Sequence, residues 1–291
     1  MPTPNARIAR RGRSLLRIAA MTLLPTAAMA SDIDVFHADS LSGPMREIKL
    51  AFEARNARVN LRLTSGVSRD LAARILKGDV CDVFAPSSPA VIDEDLMHRK
   101  IAGSSQDAAT WYVVFSANEM VVVVAKGNPL GIREVSDLLR PQVRFVRVNG
   151  EKDLATGRTI EFVKRATAKE GRPELAPKII DSAMLDPAKA TTVPEAIAAV
   201  RDGKANAAVV YYSAAVAARN DVDIIRFPDS VNLSDAIRNA ATVPGTARNA
   251  KEATELVRFL VSAEAQAILQ RTGQPPVVPA LRKGTVPPDI N

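Results

Sequence analysis

Hydroxyl-bearing and small residues gather where strands give way to helices: Ser40 and Ser42 after residues 32–36, Ser65 and Ser68 after residues 59–63, and Thr156-Gly157 ahead of a later helix. A helix N-terminus leaves backbone N–H groups unpaired and carries roughly half a positive charge, so several such ends meeting in one cleft can hold an anion without a cation. Serine hydroxyls add donors that rotate to suit a ligand. Each serine taken alone reads as a helix cap. Turns on one sheet edge read together as an anion site, because ligands of open α/β sheets sit beyond the carboxyl ends of the strands. Other chemistry has little to work with. The chain has no G-x-S-x-G elbow, no G-x-x-x-x-G-K-[ST] phosphate loop and no G-x-G-x-x-G fingerprint. His37 and His98 lie in unrelated segments and read as structural or solvated. The single cysteine, Cys81, opens an apolar strand and reads as a small core residue; one cysteine excludes an intrachain disulfide, a Cys-based zinc site and an iron–sulfur cluster. No catalytic residue, cofactor or resident metal is expected.

These turns need elements to hold them. Residues 32–36 and 59–63 alternate as short strands, and residues 82–85 read as a third. Between the first two, Met45, Ile48 and Phe52 recur at helical spacing behind Pro44, with Leu50 off that face. Ser68 precedes Leu71, Ala72, Ile75 and Leu76 as a capped amphipathic helix, completing a βαβαβ unit with a parallel sheet. Residues 120–125 form a continuous apolar run, read as a strand buried on both faces and suited to a crossing between domains. Trp111 and Tyr112 ahead of it read as packing residues at the junction. A second α/β series follows: a strand over 143–148, helices over 159–166 and 193–200, a strand over 207–211, and a return crossing over 222–227. The rest is helical, over 250–261 and over 263–270 behind Ser262, until Gly273 and the prolines end it. The tail, 275–291, is expected along the surface or partly disordered.

The chain has 291 residues, 47% hydrophobic and 24% charged, the composition of an ordinary globular protein with length for two domains. Its net charge of +7 points to no nucleic-acid partner, because Arg7, Arg10, Arg11, Arg13 and Arg17 lie in the first 30 residues, which hold no acid. Setting those five aside leaves +2 for residues 31–291. That opening segment runs from its arginines into an apolar stretch, 18–24, and ends Ala28-Met29-Ala30, the pattern of a cleavable signal peptide. The stretch is shorter than the ~20 residues of a membrane-spanning helix. Residues 1–30 are therefore expected to be a signal peptide and the mature chain to be periplasmic.

The segments His37-Ala38-Asp39-Ser40-Leu41-Ser42, Ser65-Gly66-Val67-Ser68 with its following helix, Cys81-Asp82-Val83-Phe84-Ala85, Asn118-Glu119-Met120-Val121 and Val209-Val210-Tyr211-Tyr212-Ser213 carry a resemblance. Together, and in order over nearly all of residues 32–273, they resemble the periplasmic molybdate/tungstate-binding proteins of ABC importers, within the type II periplasmic substrate-binding proteins. The resemblance implies a two-lobed α/β fold, each lobe a mostly parallel sheet flanked by helices. Lobe 1 would comprise 31–116 and 229–291, and lobe 2 would comprise 117–228, closing about two crossovers near 117–122 and 222–228. It implies a binding protein, not an enzyme, which captures a tetrahedral oxyanion and delivers it to an ABC permease as a monomer that does not span the membrane.

By position the resemblance assigns ligand contacts to Ser40, Ser68, a backbone site at Ala155 or Thr156, Val193 and Tyr211. A tungstate-binding branch adds two carboxylates on the metal; Asp153 stands where one would be, but the other falls at Val210, which argues against six-coordinate binding. Asp153 also reads as a turn or cap residue. Other readings stay open: another small anion such as sulfate, phosphate or an organic acid, a periplasmic ester hydrolase, or an interaction protein without a small ligand.

Overall fold

The computed structural model describes residue 1 and residues 31–150, 153–185 and 189–290. The expected signal peptide, beyond Met1, lies outside the described residues. The chain opens with β1 (Ser31–Ala38), α1 (Ser42–Arg55), β2 (Val59–Gly66), α2 (Ser68–Leu76), β3 (Val83–Ala85), α3 (Pro89–Asp95) and β4 (Trp111–Ala117). It continues with β5 (Met120–Ala125), β6 (Phe145–Arg147), α4 (Leu154–Lys169), α5 (Leu175–Ser182), α6 (Val193–Arg201), β7 (Ala207–Tyr211), α7 (Tyr212–Ala217) and β8 (Val222–Ile225). It ends with α8 (Asp229–Asn232), β9 (Arg238–Ala241), α9 (Ala250–Leu260), α10 (Ala263–Arg271) and β10 (Pro276–Gly284).

The βαβαβ unit forms as its periodicity requires, with β2 and β3 flanking β1 in parallel. Met45, Ile48 and Phe52 bury one face of α1 against this sheet, while Leu50, off that face, is 68% exposed. An antiparallel sheet, β10-β4-β9, joins its edge through paired backbone bonds between Phe84 and Thr242. The third sheet has the order β6-β7-β5-β8.

Among the named strands, β1 pairs in parallel with its two neighbours and β6 with β7, so the first sheet is parallel as expected, whereas β10-β4-β9 is antiparallel and β6-β7-β5-β8 is mixed. The expectation of mostly parallel sheets came from the βαβαβ unit and the resemblance, and the apolar run Met120–Ala125 did not contradict it. A central strand covered on both faces has that pattern whichever way its neighbours run, and β5 pairs antiparallel with both β7 and β8. Trp111 and Tyr112 are not at a junction: they begin β4 and bury in the cores beneath it, the Tyr112 hydroxyl donating to Asp93 at 2.9 Å. The tail runs along the surface, as one of its two readings expected, and is held there by strand pairing. Pro276–Gly284 pairs with β4 as an edge strand, the position in a sheet that tolerates proline, and Ile290 is fully buried.

Buried apolar side chains fall into separate clusters. One draws only on residues 120–237, the others only on residues 33–115 and 240–290. The first passage between these regions is Asn118-Glu119, between β4 and β5. The Glu119 carboxylate, 2% exposed, accepts from Arg226 Nε at 2.6 Å and from Asn232 Nδ2 at 2.6 Å, tying this passage to the return segment after β8.

Candidate functional site

Three helices begin at one small cavity. Ser68, Leu154 and Val193 are the first residues of α2, α4 and α6, and all three line it. Each first N–H has no acceptor within its own helix. At roughly half a charge per helix end, the three ends supply about +1.5 to the enclosed space. The cavity has a volume of about 10 Å³, the space of about one water-sized sphere and far below the roughly 300–1,000 Å³ of sites for drug-sized ligands. No lysine or arginine is among its described lining residues.

The remaining wall comes from sheet ends. Ser40 lies in a turn of 3-10 helix, Asp39–Leu41, directly after β1, and Tyr211 closes β7. The Ser40 Oγ and Tyr211 Oη atoms are buried and neither has a partner in good hydrogen-bond geometry, although the Ser87 side chain interacts with the Tyr211 hydroxyl. Buried hydroxyls without such partners are rare, since each forgoes about 1–3 kcal/mol; of the three among the described residues, Ser40 and Tyr211 line this cavity and Thr159, inside α4, does not. Burial, then the nearby Asp153 charge, hold the Tyr211 phenol well above its ordinary value, so it keeps its proton and remains a donor. Ser68 is differently placed: its Oγ accepts from the Ser87 N–H at 3.2 Å and lies 3.4 Å from Ser87 Oγ.

Ala155 and Thr156 do not line the cavity. The helix expected from residue 159 starts five residues earlier, at Leu154, so these two sit inside its first turn with their donors engaged. The Ala155 N–H donates to Asp153 Oδ1 at 2.9 Å, the Thr156 N–H to the Asp153 carbonyl at 3.0 Å, and Thr156 Oγ1 to the Gly150 carbonyl at 3.1 Å. The Thr-Gly pair had read as loop. Gly157 is instead helical, with open space where a side chain would be. Asp153 is the N-cap of α4, as its reading as a turn or cap residue expected, and it also lines the cavity. Burial raises its pKa, the Ala155 N–H opposes, and the charges of Asp39 and Asp70 add to the rise.

Ser87 was missed. It also lines the cavity, from the turn between β3 and α3, where the neighbouring Ser88 caps α3 by accepting from Ala90 N–H. The signal was present, since Ser87-Ser88-Pro89 follows the third strand as the other serines follow the first two. His37 and Cys81 stay structural. His37 Nδ1 bonds the Ala38 carbonyl at 2.9 Å and burial lowers its pKa, while burial pushes the Cys81 thiol well up. No group of His, Cys, Asp and Glu among the described residues is arranged to hold a metal ion.

Residues 33–274 match the family described as bacterial extracellular solute-binding protein. The chain belongs to this family of solute-binding proteins. Among its relatives is the molybdate-binding protein ModA of Mycobacterium tuberculosis H37Rv, 27% identical over 248 residues, covering 84% of each chain. The solute-binding fold also aligns with the periplasmic molybdate-binding protein of Azotobacter vinelandii at a TM-score of 0.65 and 15% identity, over 85% of this chain and 99% of that one. The sulfate-binding protein SubI of Mycobacterium tuberculosis H37Rv aligns equally well, at 0.65 and 18% identity, over 86% and 88%. The two-lobed α/β architecture is thus that of type II periplasmic binding proteins. These three are named for binding, not for catalysis. No helix among the described residues is long and apolar enough to cross a membrane.

Proposed function

We propose that this solute-binding protein captures a small tetrahedral oxyanion, molybdate or tungstate, in the periplasm and delivers it to an ABC permease. The observation that carries the reading is the pair of buried hydroxyls without a partner in good geometry, Ser40 Oγ and Tyr211 Oη, on residues lining a cavity where three helices begin. In this reading Ser40, Ser68 and Tyr211 donate hydroxyl protons, the Val193 N–H donates from the start of α6, and Ser87 steadies Ser68. The chain carries out no chemistry on its ligand. Charge-assisted bonds are roughly twice as strong as neutral ones, so a dianion held by oriented neutral donors in a dry site needs no counter-cation. The lobes we propose are 31–117 with 238–291, and 118–237; Val231, Leu233 and Ile237 go with the second because they bury in its core.

Asp153 favours a second reading, a proton-bearing anion such as hydrogen phosphate, whose proton a lining carboxylate would accept.

The test is thermal unfolding of residues 31–291 with molybdate, tungstate, sulfate and phosphate in turn, for wild type, Ser40→Ala and Tyr211→Phe. Ligand at about 1,000 times its dissociation constant adds about 4 kcal/mol, a rise of roughly 8–16 °C. We expect that rise with molybdate and tungstate but not with sulfate, and each variant to bind about 1–3 kcal/mol more weakly. A shift with phosphate alone would select the second reading. No shift with any oxyanion would remove both.

A further inference from the structure

The main chain of Ser40 is held from behind by a buried relay, Asn118 and Ser213, neither of which lines the cavity. Asn118, 0% exposed, occupies the passage between β4 and β5; Ser213, 1% exposed, follows Tyr211 by two residues in α7. Asn118 Oδ1 accepts the Glu119 N–H at 2.9 Å and the Ser213 N–H at 3.3 Å. Two backbone donors on one oxygen fix which way the amide faces, so Nδ2 must donate, and it does so to Ser213 Oγ at 2.9 Å. The Ser213 hydroxyl has a single proton, and the Ser40 carbonyl receives it at 2.6 Å. Gln274 Nε2 reaches the same carbonyl only at 3.5 Å. Every direction in the relay follows from Asn118.

We propose that Ser213 is a positioning residue for oxyanion capture: through the Ser40 carbonyl it fixes where the Ser40 hydroxyl stands, with Asn118 orienting it. The inference rests on the proposed function. Ser213 does not line the cavity; it faces a groove on another side of the molecule, with Gly43 and Thr272, so any effect on affinity must pass through its neighbour. The relay also links the segments bearing the two buried hydroxyls, Ser40 after β1 and Tyr211 at the end of β7. Lying at the passage about which the lobes would turn, it holds that spacing through closure. A donor fixed beforehand loses less freedom when the ligand arrives.

The experiment is calorimetric titration with molybdate of wild type, Ser213→Ala, Ser213→Thr, Ser40→Ala and the Ser213→Ala/Ser40→Ala double variant, each at a temperature where it is folded. Ser213→Ala is expected to weaken binding roughly ten- to a hundredfold, Ser213→Thr to recover most of the loss, and Ser213→Ala to add little once Ser40 is alanine. Asn118→Asp keeps the oxygen that accepts both N–H groups but takes the Ser213 proton for itself, so it should reproduce the loss if Ser213→Ala does not fold. Affinity within twofold of wild type in Ser213→Ala or, should that variant not fold, in Asn118→Asp overturns the proposal, as does an equal loss with and without the Ser40 hydroxyl, which would mean general loosening. If wild type and Ser40→Ala differ as expected while Ser213→Ala matches wild type, only this inference fails. If wild type binds no oxyanion, the functional reading fails and takes it along.

Discussion

Asp153 spends one oxygen on capping α4 and still brings its carboxylate to the wall of a cavity lined by donors. Its pKa is raised by burial, so the folded protein takes up this proton at a higher pH than the unfolded chain, whose carboxyl titrates near about 3.9. The stability penalty is therefore absent below the unfolded value, and it grows as pH rises through the folded one. Asp153→Asn keeps a capping oxygen and removes the charge. Binding of a fully ionised dianion should tighten by about 1 kcal/mol or more, since unit charges 4 Å apart interact by ~4 kcal/mol at an effective dielectric of 20. The wild-type gain in affinity as pH falls should vanish in the variant. Titrations from pH 8 down to the ordinary carboxylate range, about 4, would show both, and a variant that binds more weakly would favour the hydrogen phosphate reading. At this scale the sequence was legible in that Ser40 and Tyr211, at strand ends, and Ser68 and Val193, at helix starts, come to line one cavity; whether they hold a ligand is for the titrations to decide. It failed at Ala155 and Thr156, because what a backbone N–H can do depends on where the helix begins, and Asp153 starts α4 earlier than its threonine and glycine imply.

Among the elements, α6 has the most fully specified start. Thr192 Oγ1 accepts the Glu195 N–H at 3.4 Å while Glu195 Oε2 accepts the Thr192 N–H at 2.9 Å, a reciprocal capping box. Pro194 has no N–H of its own, which leaves the Val193 N–H as the donor at that helix end. Thr192→Ala should cost about 1 kcal/mol of stability, or roughly 2–4 °C in Tm, and should also weaken oxyanion affinity, because the Val193 amide loses its fixed direction. Calorimetric unfolding and titration on one preparation test the link; a loss of stability at unchanged affinity would remove Val193 from the site. Helices and their buried faces could be read from the sequence because their periodicity is local. Strand direction could not: whether β5 runs with or against β7 is decided by how the chain returns, and Val121 to Val124 are buried either way. Likewise the prolines were read only as ending a helix, yet Pro276 and Pro279 lie in β10 at a sheet edge, where the missing N–H groups cost no pairing.

In the whole molecule, the core of residues 120–237 comes from one continuous stretch, whereas the other cores need residues 33–115 and 240–290 together. Bringing distant segments together costs loop-closure entropy before any contact repays it. Refolding followed by pulsed hydrogen exchange should therefore protect β5 and β7 before β4, and simultaneous protection would contradict this order. The arrangement bears on how the protein is made. In a chain that emerges amino end first, β3 and β4 are finished long before Thr242 and β10, so their open edges stay unpaired until the last residues arrive. During synthesis or export the vulnerable party is the older half of the molecule, and its final fifty residues act as the fastening that ends the exposure.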